Sequence, residues 1–167
     1  MKYSVEIIID KPLNEVIALF DNPDNMKQWM EGLQSFEPIS GTPGQPGAKS
    51  KLVFLNGGRK MEMIETITVN NLPKEFSGTY EANGVFNIVQ NFFEAVNDRQ
   101  TRYATEQEFQ FHGFMKIIGW IFPAAFKKQS MKFLKDFKRF AESVWNVQKI
   151  IHLPGYKPRY CTKKQAR

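Results

Sequence analysis

At 167 residues the chain is the size of one domain, long enough to bury about two thirds of its unfolded surface without staples. Hydrophobic residues at 42 % and charged residues at 24 % exclude a disordered or fibrous chain, and the single cysteine, Cys161, excludes an internal disulfide or a cysteine-rich metal site. The formal charge of +6 belongs to the C-terminus: residues 1–144 balance 17 basic against 17 acidic groups, while residues 145–167 carry six basic groups and no acid. That distribution argues against a nucleic-acid-binding body, which would carry its positive stripe on the folded surface.

In chain order, "YSVEIII" alternates as a strand. Asp10 is placed to cap a helix, Pro12 sits in its first turn, and Leu13, Val16, Ile17 and Phe20 follow at helical spacing. "DNPDN" breaks that helix, and "MKQWMEGL" offers a second short one with Met26, Trp29 and Met30 on one side. From Gln34 the period changes from 3.6 to 2. "SFEPIS" is a strand whose Pro38 marks an edge or a bulge, "GTPGQPG" is a loop, and "KSKLVFL" is a strand ended by Asn56-Gly57. "RKMEMIETITV", "EFSGTYEAN", "VFNIVQNFFEAV" and "QTRYATEQEFQFHGF" follow with hairpin-length breaks, which predicts an antiparallel meander. The last element is a long helix that begins within "MKIIGWIFPAAF". Its "FKKQSMKFLKDFKRFAESV" segment puts Phe126, Phe133, Leu134, Phe137, Phe140, Ala141 and Val144 on one stripe and lysines opposite.

This order predicts an α+β domain over 1–144: a curved antiparallel sheet of about seven strands, two short helices after the first strand, and a long terminal helix covering the apolar face. Residues 145–167 read as a basic extension, flexible or artificially appended, with a basic arm for anionic partners as the alternative. No signal peptide or membrane span is read, so a cytoplasmic location is expected.

The stretch "SVEIIIDKPLNEVIALFDNPDNMKQWMEGLQSFEPISG", with its proline-started helix, the "NPDNMKQW" break and Trp29 leading into the second strand, resembles the START-like (SRPBCC, Bet v 1-like) superfamily, in particular its polyketide cyclase/dehydrase branch. The resemblance spans residues 1–144 and implies a helix-grip fold enclosing a cavity for a lipid, polyketide or other apolar molecule. It implies no shared catalytic signature, so function has to come from the site.

Strand phase places Met61, Met63, Glu65, Ile67 and Val69 on one face, which makes Glu65 an inward carboxylate with a raised pKa and a candidate general acid or base; a bulge would instead turn it outward. Tyr80 and Tyr103, in phase with apolar neighbours, are candidate proton carriers or ligand handles, as is the amide of Gln107. The candidate ligand-contact set is Trp29, Met61, Met63, Tyr80, Tyr103, Gln107, Phe109, Phe126, Phe133 and Phe137, with the methionines, including Met26, Met30 and Met115, supplying an adaptable lining. "VFNIVQNFFEAV" is apolar on both phases, as expected of a doubly covered strand or of a homodimer contact. His112 and His152 have no partners at metal-ligand spacing, and no phosphate loop, dinucleotide fingerprint or serine elbow is present, so no metal or cofactor is expected. The leading function is binding of a small hydrophobic molecule. Its alternatives are a cyclase or aromatase using inward Glu and Tyr groups, and a module that docks protein, RNA or an anionic membrane; nucleic-acid and membrane contact are not expected.

Overall fold

A computed structural model describes residues 1–117 and 123–144. Strand β1 (Lys2–Ile9) is followed by α1 (Leu13–Phe20), a 3-10 turn (Pro23–Asn25), and α2 (Met26–Trp29). Six strands succeed one another: β2 (Leu33–Ser40), β3 (Lys49–Asn56), β4 (Arg59–Asn71), β5 (Glu75–Ala82), β6 (Val85–Asn97) and β7 (Gln100–Phe111). The last described element is α3 (Pro123–Ser143). The expected start of this helix within residues 115–126 lies partly outside the described residues, and the extension over 145–167, with His152 and Cys161, lies wholly outside them.

The seven strands form one antiparallel sheet in the order β1-β7-β6-β5-β4-β3-β2. Each neighbour except β1 follows directly in the chain, and at the tight β3–β4 and β5–β6 connections Gly57, Gly58 and Gly84 adopt the positive φ that such turns need. β1 instead pairs with β7, from Lys2↔Glu108 to Ile9↔Thr101. β2 is the opposite edge, and its register breaks between Pro38 and Ser40, as the proline foretold.

α3 runs alongside β1 and is tied to it at three heights. Ser130 Oγ and Tyr3 OH lie 3.0 Å apart, Lys138 Nζ donates to the Ile8 carbonyl at 2.6 Å, and the Asp10 amide donates to Glu142 Oε1 at 2.8 Å. Much of the basic face of α3 is thus engaged within the fold: Lys132 pairs with Glu31 and Asp136, Arg139 with Asp136, and Lys138 with Asp10 and Glu142. Its apolar stripe is buried from Leu134 through Phe137, Phe140 and Ala141.

Three expectations are corrected. Asp10 does not cap α1; Pro12 holds the cap position without a side-chain bond, and Asp10 Oδ1 accepts from Gln100 instead. The second helix is a single turn, because Met30 is already extended and Gly32 adopts a φ of 84°. Val69 is exposed rather than inward: the register shifts between Ile67 and Val69, and a single extra residue flips the pleat.

Candidate functional site

Between the sheet and α3 lies a cavity of about 380 Å3. Its sheet wall is built by the inward phase of five strands: Leu52 and Phe54 from β3, Met61, Met63 and Glu65 from β4, Phe76, Tyr80 and Ala82 from β5, alternate residues from Val85 to Asn91 of β6, and those from Tyr103 to Phe109 of β7. α3 contributes Phe126, Gln129, Ser130, Phe133 and Leu134, and the short helices contribute Phe20, Met26 and Trp29, with Met30 just beyond. The volume lies in the range of roughly 300–1,000 Å3 usual for small-molecule pockets.

One end is sealed. Phe20, Trp29, Phe93, Tyr103 and Phe137 form an aromatic plug, with Phe93 stacked on Tyr103 at 4.6 Å and Trp29 edge-on to Phe137 at 5.1 Å. The other end is looser and richer in methionine. Met61 there is 41 % exposed, and Phe126 packs on Phe109 at 4.9 Å. Gly84 lets the β5–β6 turn meet the Met115 segment, since a Cβ at its φ of 80° would stand 3.1 Å from the His112 carbonyl oxygen and 3.3 Å from Met115 Cγ.

The polar groups of the sheet wall are tied to one another. Tyr80 OH donates to Glu65 Oε1 at 2.7 Å. Asn87 Nδ2 donates to Gln107 Oε1 at 2.8 Å, and Gln107 Nε2 continues to Thr105 Oγ1 at 3.0 Å. Tyr103 OH donates to Asn91 Oδ1 at 2.9 Å while Asn91 Nδ2 donates to the Phe76 carbonyl at 3.1 Å. Burial pushes the Tyr103 phenol well above its ordinary value of 10.0. Tyr103 is therefore a neutral donor that spends its proton inside the wall.

Every candidate contact residue but one reaches this cavity. Trp29, Met61, Met63, Tyr80, Tyr103, Gln107, Phe109, Phe126 and Phe133 line it, as does Glu65, which is buried and inward because the β4 bulge lies beyond it. Phe137 is the exception: it is fully buried in the aromatic plug, one turn past the end of the cavity. The contact set read from the sequence leaves out Phe20, Phe54, Phe76, Asn87 and Asn91, which also line the cavity, although the strand pattern sets Phe76 in phase with Tyr80. The two asparagines fall on the same phase as Val85 and Val89, and only their cross-strand neighbours Phe109 and Thr105 identify that phase as inward.

Phe86, Ile88 and Phe92, opposite in phase, lie half-buried on the outer face, flanked in register by Glu81, Glu75 and Glu108. The homodimer contact expected of one phase of β6 would fall on this outer face. His112 is exposed, and no group of three or more His, Cys, Asp or Glu able to hold a metal is found among the described residues. No helix among the described residues is long and apolar enough to cross a membrane.

Residues 1–142 match a protein family described as "Polyketide cyclase / dehydrase and lipid transport". No curated protein matches the chain in sequence. Among solved structures, the Zhui aromatase/cyclase from Streptomyces sp. R1128 superposes with a TM-score of 0.71 at 11 % identity, covering 85 % of this chain and 93 % of that one. Truncated norcoclaurine synthase from Thalictrum flavum gives 0.67 at 10 % identity, over 86 % and 94 %. Ara h 8.0201 gives 0.67 at 13 % identity, over 86 % and 99 %. At these identities the likeness carries the fold, and the chemistry rests on the cavity itself.

Proposed function

We propose, from the premise that this chain belongs to the polyketide cyclase/dehydrase and lipid transport family, that it binds a small, mostly apolar molecule in the cavity between sheet and α3 and releases it unchanged. Its fold is the helix-grip, Bet v 1-like arrangement of seven antiparallel strands and a long C-terminal helix. The observation that carries the reading is the pairing inside the sheet wall. Asn87 Nδ2 is held by Gln107, Gln107 by Thr105, and Tyr103 OH by Asn91, so an apolar body can displace water from the cavity without breaking these bonds. Methionines from α2, β4 and the Met115 segment supply a wall that adapts to more than one shape.

Native mass spectrometry of the freshly purified chain is expected to show a retained apolar mass. Nile red, an uncharged probe, is expected to bind with enhanced fluorescence once that mass is extracted. A clean apo mass together with no Nile red binding would sink the proposal.

A second reading is favoured by one contact, the 2.7 Å bond from Tyr80 OH to Glu65 Oε1. A phenol held on a buried carboxylate can give its proton to a ketone oxygen while the carboxylate takes one from the neighbouring carbon of the substrate. That proton then passes from Glu65 back to the phenolate, so the pair gains and loses none. Under this reading the protein is a cyclase or dehydratase, and Glu65→Gln abolishes turnover of a poly-ketone substrate while leaving Nile red binding intact. Unchanged turnover would remove Glu65 from the chemistry.

A further inference from the structure

The even balance of charge over residues 1–144, which argues against a nucleic-acid-binding body, conceals a sorting of charge between the two ends of the sheet. At the sealed end acids and bases alternate and pair: Lys138 lies against Asp10 and Glu142, and Lys11 against Glu15. At the open end cations accumulate. Arg59 and Lys60 stand at the β3–β4 turn, Lys116 follows β7, and Lys127 and Lys128 lie in the first two turns of α3, all five exposed. Among the described residues only Lys60 of the five is held in an ion pair, with Glu62.

Three features of the fold bring these groups to one end. β3 and β4 pair out to Asn56↔Arg59 while β4 and β5 stop at Ile64↔Glu81, so the β3–β4 tip overhangs the sheet. The turn after β7 is fixed beside the β5–β6 turn, where the His112 amide donates to the Gly84 carbonyl at 2.7 Å. Phe126 packs on Phe109 and Phe111 at 4.9 and 5.2 Å, which seats the start of α3 over the same strand end. The same segments expose apolar side chains: Phe114 is 73 % exposed, Ile117 53 % and Leu55 46 %. Met61, Met115 and Phe126 line the cavity, so its open end lies among them.

Large apolar side chains left in water on a folded surface mark a contact site. A nucleic acid would engage the cations and leave Phe114 and Ile117 wet. A layer of anionic lipid uses both, because apolar side chains enter the boundary between headgroups and acyl chains while lysine and arginine meet the phosphates. We propose that the open end docks on an anionic lipid surface, with Phe114, Ile117 and Leu55 entering it and Arg59, Lys116, Lys127 and Lys128 holding its headgroups, so that the cavity opens toward the lipid.

Co-sedimentation of the full chain with vesicles tests this. Phosphatidylcholine vesicles with about 30 mol % phosphatidylserine are expected to bind the protein at least about fivefold more tightly than phosphatidylcholine alone. No binding, or equal binding to both, overturns the proposal. Phe114→Ser combined with Ile117→Ser is expected to weaken binding to the mixed vesicles by about tenfold or more. Lys127→Glu combined with Lys128→Glu is expected to do the same, whereas Lys74→Glu combined with Arg99→Glu, the same change of net charge at the sealed end, should stay within about twofold of the unaltered chain. Equal losses for the two charge reversals overturn the proposal. So does a loss for the lysine pair with none for Phe114 and Ile117, the mark of a surface that takes any polyanion. Should the Phe114 and Ile117 variant fail to fold by circular dichroism, the two charge reversals decide alone. None of the substituted residues lines the cavity, so Nile red binding should be unchanged in all three variants. If the vesicle results hold and Nile red never binds, the binding function falls and the docking surface stands; if Nile red binds and the vesicles do not, only the docking surface falls.

Discussion

The two ends of the space between sheet and α3 share β6 and α3 and behave as opposites. At the closed end Phe20, Trp29, Phe93, Tyr103 and Phe137 interlock with ring centroids 4.6–6.3 Å apart and leave no room. At the open end β6 and the same helix, joined by β4 and β5, present Met61, Met63, Tyr80, Val85 and Phe126 around a cavity. Stability resides in the first region and binding in the second. One helix serves both, since Phe137 and Phe140 lie about three to four turns from Phe126 and on the same stripe.

The largest effect that would break this division is expected from Phe137→Ala. Removing a fully buried ring from the aromatic plug should cost about 3–5 kcal/mol in denaturant unfolding, whereas Nile red affinity should change little at temperatures where the variant is folded. A loss below about 1 kcal/mol would merge the two ends into one loosely packed core. Next comes the reverse substitution at the open end. Met63→Trp should fill the cavity, reducing Nile red binding by about tenfold or more while changing stability by under about 1.5 kcal/mol. A destabilisation as large as that of Phe137→Ala would mean that the space near Met63 is packed rather than open.

The smallest expected effect lies on the boundary. Tyr103 faces the cavity yet stacks on Phe93, and its phenol is held protonated by burial. Because the folded pKa is raised above the ordinary 10.0, the unfolded chain loses this proton first as the pH climbs, and stability should fall as pH rises past about 10. Tyr3, raised in the same direction chiefly by burial, adds to that alkaline loss. Tyr103→Phe should therefore cost about 1 kcal/mol at neutral pH, through its lost bond to Asn91, and should show a shallower decline above pH 10. An identical alkaline slope in the variant would place the Tyr103 phenol in water.

The sequence made most of the fold legible because its two periods alternate cleanly. Strand phase alone put Met61, Met63 and Glu65 of β4 and Tyr80 of β5 on the face that lines the cavity. The same rule failed at Val69, since a bulge is a geometric choice of the chain that no residue in "ETITVNN" announces. Phe137 shows a second limit. A helical stripe states which side of α3 is covered but not where along its length the cover changes from cavity to plug. Asn87 and Asn91 show a third: on a strand apolar in both phases, two asparagines look like the wet face, and it is their cross-strand pairing with Phe109 and Thr105 that turns them inward, where Gln107 and Tyr103 bond them.

The pairing of β1 with β7, reinforced by α3, also sets a timetable for biosynthesis. Lys2–Ile9 is made before its partner Gln100–Phe111, which leaves the ribosome about a hundred residues later, an interval of roughly 5–20 s at ordinary elongation rates. Through that wait the nascent strand holds the run Ile7-Ile8-Ile9 with an unpaired edge, a hazard for contact with neighbouring chains. Glu6 and Asp10 flank it, and Lys2 stands at the start of the same strand. The charges that pair with Glu108, Arg102 and Lys138 in the finished molecule thus stand as sentries on the unfinished one.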